Sequence, residues 1–261
     1  MNEAFQKAID LIANSNKILL TTHENTDGDD LGSVLALSHY FINNSKQAKV
    51  VVTGGVPSRL EFMPGSDSVD SETQSTDFDL LIVSGCSTLN RIRNTHIENL
   101  NIPVINFDHH PDNQNYATVN VVDSKKSSVA ELMYDFLQFA NWEINSDMAT
   151  CLLTGIITDT GLLMHSNTQG TTLEAVGELM KRGALVSEVA KHTFTTESPV
   201  SMRAWGKALE NAYFNPETKM IFSVITKDQL AELGETELAN FEGLVDTLNK
   251  VPEAKYAMFL N

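Results

Sequence analysis

Three short stretches of this chain carry side chains that can bind a divalent cation. His23, Asp27 and Asp29 fall in His23-Glu-Asn-Thr-Asp-Gly-Asp29, Asp108, His109 and His110 are consecutive, and Asp159 lies in Thr158-Asp-Thr-Gly161. Each follows an apolar run: Lys17-Ile-Leu-Leu-Thr-Thr22, Ile102-Pro-Val-Ile-Asn-Phe107 and Cys151-Leu-Leu-Thr-Gly-Ile-Ile-Thr158. Carboxylates gathered at the ends of such segments repel unless a cation stands between them, and mixed oxygen and imidazole ligands suit a divalent metal. Two carboxylates one residue apart can serve two metals about 3.5–4 Å from each other, the arrangement used for in-line phosphoryl chemistry. Asp-Gly-Asp alone is a common capped turn, so the first stretch gains its weight from the other two. The paired histidines are more telling, because neutral imidazole ligates transition metals and an adjacent carboxylate can orient its second nitrogen. Asp159 ends an apolar helix, where the helix dipole disfavours an acid and a metal would compensate it. The expectation is a metal-dependent enzyme acting on phosphate.

Alternating helix and strand patterns must position these residues. Apolar spacing predicts a helix over 3–14, a strand over 18–22 and a helix over 30–41 whose acidic first turn suits the dipole. Strands follow over 50–53, 78–83 and 102–107. Helices are expected over 127–140, with Ser127 or Ser128 as cap and Glu131 in the capping box, and over 146–157, 171–181 and 186–193. The fold class is therefore α/β, a mainly parallel sheet flanked by helices, over residues 1–193. A linker is expected over 194–200. A smaller, incomplete C-terminal α/β domain follows over 201–261, with helices over 202–212, 227–233 and 237–248 and strands over 220–225 and 255–260. The last strand carries apolar residues on both faces and should lie at a sheet edge. Such an edge is usually covered, here by the main domain, by further chain or by a second copy in a homodimer.

Composition narrows the classes. The hydrophobic fraction of 42% fits a folded globular chain, and no run approaches the length of a membrane span. The N-terminal residues lack the basic and apolar regions of a secretory signal. The two cysteines, Cys86 and Cys151, suggest neither a disulfide scaffold nor a zinc site, which points to a reducing cytoplasm. A net charge of −16 argues against long nucleic acid, which is gripped by many lysines and arginines. A short nucleotide held through metal ions remains compatible with it.

The order and spacing of three pieces resemble the DHH phosphoesterases over roughly residues 1–190. They are His23 to Asp29 followed by Leu31-Gly-Ser33, then Asp108-His-His-Pro-Asp-Asn113, then Leu153-Thr-Gly-Ile-Ile-Thr-Asp-Thr-Gly161. Within that family the chain looks most like the bacterial short-oligonucleotide exonucleases that also dephosphorylate adenosine 3′,5′-bisphosphate. The resemblance implies manganese as cofactor, with His23 and Asp27 on one ion and Asp29, His109 and Asp159 on a second. It implies that His110 faces the substrate phosphate and that Asp108 supports it. Asn113 and Arg91 become candidates for substrate contact.

Two departures qualify the resemblance. The family carries a metal-bridging aspartate just after the strand at 78–83, and that position falls on Gly85, which offers no ligand. One metal, or two held weakly, is therefore expected. Cys86 lies beside it but reads as a small buried apolar residue. The family's glycine-rich, histidine-bearing C-terminal loop also has no counterpart. The reading is a manganese-dependent hydrolase of phosphoesters in short oligonucleotides or nucleotides. A degenerate member that binds nucleotide or metal without turnover is the first rival. A manganese inorganic pyrophosphatase is the second, disfavoured by the acidic tail.

Overall fold

In the computed structural model, which describes residues 1–193, 199–233, 241 and 243–261, the chain divides into two compact units, Met1–Phe194 and Thr195–Asn261. The first opens with α1 (Asn2–Ala13), β1 (Lys17–Thr21), α2 (Gly28–Asn43), β2 (Gln47–Val51) and β3 (Leu80–Ser84). It continues through α3 (Thr95–Glu98), β4 (Val104–Asp108), β5 (Val119–Val122), α4 (Val129–Phe139), α5 (Ser146–Asp159), α6 (Gly170–Lys181) and α7 (Val186–Thr193). The strands form one five-stranded, wholly parallel sheet in the order β2-β1-β3-β4-β5.

Strand alternation explains why the β segments are apolar throughout. Ile18 and Leu20 of β1, with Leu80 and Ile82 of β3, enter the larger core. Leu19, Leu81 and Val83, their alternates, enter a smaller core with Ile92 and Ile97. A parallel sheet buried on both faces needs such runs. Against the larger core, α2 and α5 pack with their backbones nearly touching. A Cβ on Gly32 would lie 2.3 Å from the Cys151 carbonyl oxygen. Nearer the site, a Cβ on Gly28 would lie 2.6 Å from Thr158 Oγ1 and one on Gly155 3.0 Å from Asp29 Cα, so the first turn of α2 lies against the last turn of α5.

The topology then makes a crevice. The chain runs from β1 out to β2, then returns to β3 on the other side of β1. Open α/β sheets bind ligands beyond the carboxyl ends of the strands at such a switch point. The loops after β1, β3 and β4 all leave from that edge.

Several elements differ from the sequence expectation. Residues 119–122 form a fifth strand that the pattern did not reveal, because only Val119 and Val121 of its four residues are buried. The second helix starts at Gly28 rather than residue 30. Asp27 caps it, its Oδ1 accepting from the N–H groups of Asp29 and Asp30, both at 3.0 Å.

The second unit contains α8 (Pro199–Glu210), β6 (Tyr213–Asn215), β7 (Met220–Val224), α9 (Lys227–Glu232), α10 (Leu244–Leu248) and β8 (Tyr256–Leu260). Its mixed sheet runs β6-β7-β8, with β7 antiparallel to β6 and parallel to β8. The short β6 was not foreseen. At the edge, β8 exposes Tyr256, Met258 and Leu260, while Phe259 meets Phe241 with ring centroids 4.8 Å apart. Of the helix expected over 237–248, residues 244–248 are α10, whereas 237–240 and 242 lie outside the described residues. The expected linker does so too over 194–198, and its last two residues open α8. Among the described residues, no helix is long and apolar enough to cross a membrane.

Glu131 joins the starts of α4 and α6. Its buried carboxylate accepts from Lys126 Nζ (2.9 Å), the backbone N–H and hydroxyl of Ser127 (3.1 and 2.6 Å), Thr171 Oγ1 (2.8 Å) and Thr172 Oγ1 (2.9 Å). Burial works to raise this carboxyl, yet the bonds from Ser127 and Lys126 outweigh it and hold the pKa at about 2. A folded-state value below the usual 4.5 stabilises the fold fully above that pH, and the gain is lost as pH falls toward about 2. Replacing Glu131 with Gln should therefore remove about 3 kcal/mol at pH 7. In urea denaturation, the gap from the parent should narrow below about pH 4.5; an equal gap at pH 7 and pH 3.5 would contradict this role.

Candidate metal centre

His23 follows β1 into the crevice. Its Nδ1 lies 2.7 Å from the Glu24 carbonyl oxygen, so that nitrogen carries the proton and Nε2 is turned toward carboxylates. Asp30 Oδ2 is 2.9 Å from Nε2, and Asp27 Oδ2 is 3.8 Å away. The ligand atoms of His23, Asp27 and Asp30 all fall within 4.8 Å of one another. Hydrogen bonds to Asp27 and Asp30 raise the His23 pKa to about 10 in the metal-free protein.

A second group joins Asp29, His109 and Asp159, again within 4.8 Å of one another. Asp29 is buried, and its carboxylate accepts from the Val129 and Ala130 N–H groups at 2.7 and 2.8 Å, at the start of α4. His109 follows β4. Its Nδ1 contacts the Lys126 carbonyl oxygen at 3.3 Å, and its Nε2 lies 3.8 Å from Asp159 Oδ2 at the end of α5. Burial drives the Asp159 pKa up to about 6, with Asp27 and Asp30 adding to it and His109 opposing. Burial likewise pushes Asp29 well above the usual carboxylate range, helped by Asp159, Asp30 and Asp27. Carboxylates this crowded are stabilised by positive charge beyond that of the neighbouring imidazoles. Each group offers one imidazole nitrogen and two carboxylates, a donor set that fits a divalent cation.

Asp108 joins neither group. It is wholly buried, and its Oδ1 accepts from the backbone N–H groups of His109 (2.8 Å) and His110 (3.1 Å) and meets His110 Nδ1 at 2.6 Å. His110 is thereby oriented with its pKa raised, chiefly by that bond. Asn113, expected to touch substrate, is tied to the same aspartate. Its amide donates to Asp108 Oδ2 and to the Cys86 carbonyl, and its Oδ1 accepts from the Asn115 N–H at 2.7 Å. Arg91 Nη1 donates to the Gly85 carbonyl at 3.2 Å, which brings its charge to the end of β3. Cys86 is buried in the smaller core, where burial pushes its thiol up and away from a metal-binding thiolate.

Asp30, which the helix pattern presents only as a dipole-favoured acid of a first turn, belongs to the His23 group. The spacing held the signal. Residues 27 and 30 are three apart across a helix start and share a face, whereas residue 29 is rotated away toward α4. Asp27 and Asp30 thus serve one group and Asp29 the other.

Residues 17–156 match the model of the family described as DHH family, N-terminal domain. The chain is 28% identical over 241 residues to the bifunctional oligoribonuclease and PAP phosphatase NrnA of Bacillus subtilis, covering 90% of this chain and 74% of that one. It is 27% identical over 229 residues to the protein of the same name from Thermus thermophilus, covering 87% and 68%. Among solved structures, an exopolyphosphatase-related protein from Bacteroides fragilis superposes with a TM-score of 0.90 at 20% identity, over 97% of this chain and 78% of that one. A putative family II inorganic pyrophosphatase from Methanococcus jannaschii gives 0.56 at 16% identity, over 94% and 82%.

Crowding of carboxylates has a direct test. Replacing Asp159 with Asn should relieve repulsion in the metal-free protein while removing a ligand. In EDTA the variant should melt higher than the parent by about 2–4 °C, for about 1 kcal/mol. Its further rise on adding manganese should be smaller than the parent's. A lower melting point in EDTA with an undiminished manganese response would contradict the reading.

Proposed function

The chain belongs to the DHH family and is a metal-dependent phosphoesterase, and from that premise we propose that it hydrolyses phosphoesters of short oligonucleotides and of nucleotides such as adenosine 3′,5′-bisphosphate, with manganese as its working metal. The observation that carries this reading is the pair of three-ligand groups at one sheet edge, with His110 held beside them by a buried aspartate. Similarity to two proteins named as oligoribonuclease and PAP phosphatase supports the substrate class. The free, buried thiols Cys86 and Cys151 suit a reducing cytoplasm.

His23, Asp27 and Asp30 would hold one ion, and Asp29, His109 and Asp159 the other. A bound divalent metal supplies Lewis acidity toward phosphoryl oxygens and lowers the pKa of water. The protein's own part is orientation and charge. Asp108 engages His110 Nδ1 and leaves Nε2 as the nitrogen to meet a phosphate oxygen. Its raised pKa favours the protonated, hydrogen-bond-donating form of His110. Asn113 acts through Asp108 as a positioning residue. Arg91 adds positive charge at the end of β3, where a substrate phosphate would approach.

The test is product release from a dinucleotide, from adenosine 3′,5′-bisphosphate and from inorganic pyrophosphate, each with manganese and with EDTA. Turnover of the first two with manganese and none with EDTA is expected. His110→Ala should lower kcat by about 10²–10⁴ without changing metal content. Tight nucleotide binding with no turnover would instead identify a non-catalytic binder, and preferential cleavage of pyrophosphate would reassign the substrate.

A further inference from the structure

Gly85 and Asp30 are parts of one device. Asp30 is 2% exposed, and its carboxylate reaches across from α2 to the carboxyl end of β3. There Oδ1 accepts from Ser84 Oγ at 3.2 Å and Oδ2 faces His23 Nε2 at 2.9 Å. A Cβ on residue 85 would lie 1.8 Å from Asp30 Oδ1, 2.0 Å from Oδ2 and 2.1 Å from Cγ. With Asp30 so placed a Cβ at 85 has no room, and the left-handed backbone there, φ +63°, favours glycine as well. Conversely, an aspartate at 85 would place its own carboxyl group about where the Asp30 carboxylate now stands, since only one bond separates Cβ from Cγ.

We propose that Asp30 is a metal ligand that supplies, from the first turn of α2, the carboxylate that would otherwise come from the end of β3, and that residue 85 is glycine to admit it. This rests on the metal-dependent reading above. The glycine taken from the sequence as a lost ligand then becomes the clearance for a relocated one, and the site keeps its count of carboxylates.

The ordinary explanation of an acid in a first helical turn does not fit Asp30. Such an acid interacts with exposed N–H groups at the helix start. Here Asp27 caps those of residues 29 and 30, and the Asp30 carboxylate points to the strand instead. A buried carboxylate with one hydroxyl and one imidazole as partners is poorly compensated.

The experiment is manganese stoichiometry and affinity, by calorimetric titration and elemental analysis, on four forms of the full chain. The parent should bind two ions. Asp30→Asn, which keeps the shape, and Asp30→Ala should each lose one ion or weaken it by about tenfold or more. Adding Gly85→Asp to Asp30→Ala should restore the second ion. Gly85→Asp alone should gain none and should melt lower in EDTA than the parent. Melting curves in EDTA establish that each variant folds; if Asp30→Ala does not, Asp30→Asn decides. Two ions bound with parental affinity by Asp30→Asn, or a double variant no better than Asp30→Ala, would overturn the exchange and leave the phosphoesterase reading standing. A parent that binds no divalent ion would overturn both.

Discussion

Carboxylates of one sign, buried together at one edge of a parallel sheet, are the constraint on which this structure turns. Asp29 and Asp30 are 3% and 2% exposed, and Asp27 and Asp159 lie beside them. In the low dielectric of a protein interior, such charges repel far more strongly than in water. Backbone dipoles relieve part of the repulsion. Asp29 sits on the N–H groups that start α4, and Asp27 caps α2. Divalent cations would relieve the remainder, the role proposed for the two ligand groups.

The fold serves that constraint through rigid elements. Strands β1, β3 and β4 end at a common edge, and the order reverses between β1 and β3 where the His23 group lies. Close packing of α2 on α5, Asp29 against Gly155 and Gly28 against Thr158, sets Asp29 near Asp159. Glu131 pins the start of α4 and, through its bond to Lys126, steadies the carbonyl that meets His109. A single buried aspartate, Asp108, fixes the His110 ring by its side-chain bond and the following backbone by two more.

Much of this was legible in the sequence because its signals are local and strong. Apolar runs ending in acidic or histidine-rich turns located β1, β4 and α5, and with them His23, Asp27, Asp29, His109 and Asp159. Short strands were harder. β5 and β6 offer few residues of alternation, and tertiary pairing rather than pattern makes them strands. Asp30 was hidden by a two-residue difference in the start of α2, which presents a residue of the His23 group as a helix-end acid. Gly85 could not be interpreted without it, because the group that fills the space at this left-handed position is a carboxylate 55 residues earlier in the chain. Asn113, beside the histidines, is expected from the sequence to meet substrate, and its hydrogen bonds run to Asp108 and the Cys86 carbonyl.

The claim at the centre of this account is that the two ligand groups hold two ions as one unit. Electron paramagnetic resonance of the manganese-loaded protein measures this most directly, since ions about 3.5–4 Å apart couple magnetically. The account predicts two manganese ions per chain at saturation and a spectrum of an exchange-coupled pair. A simple uncoupled manganese signal that grows to one ion per chain and no further would contradict it.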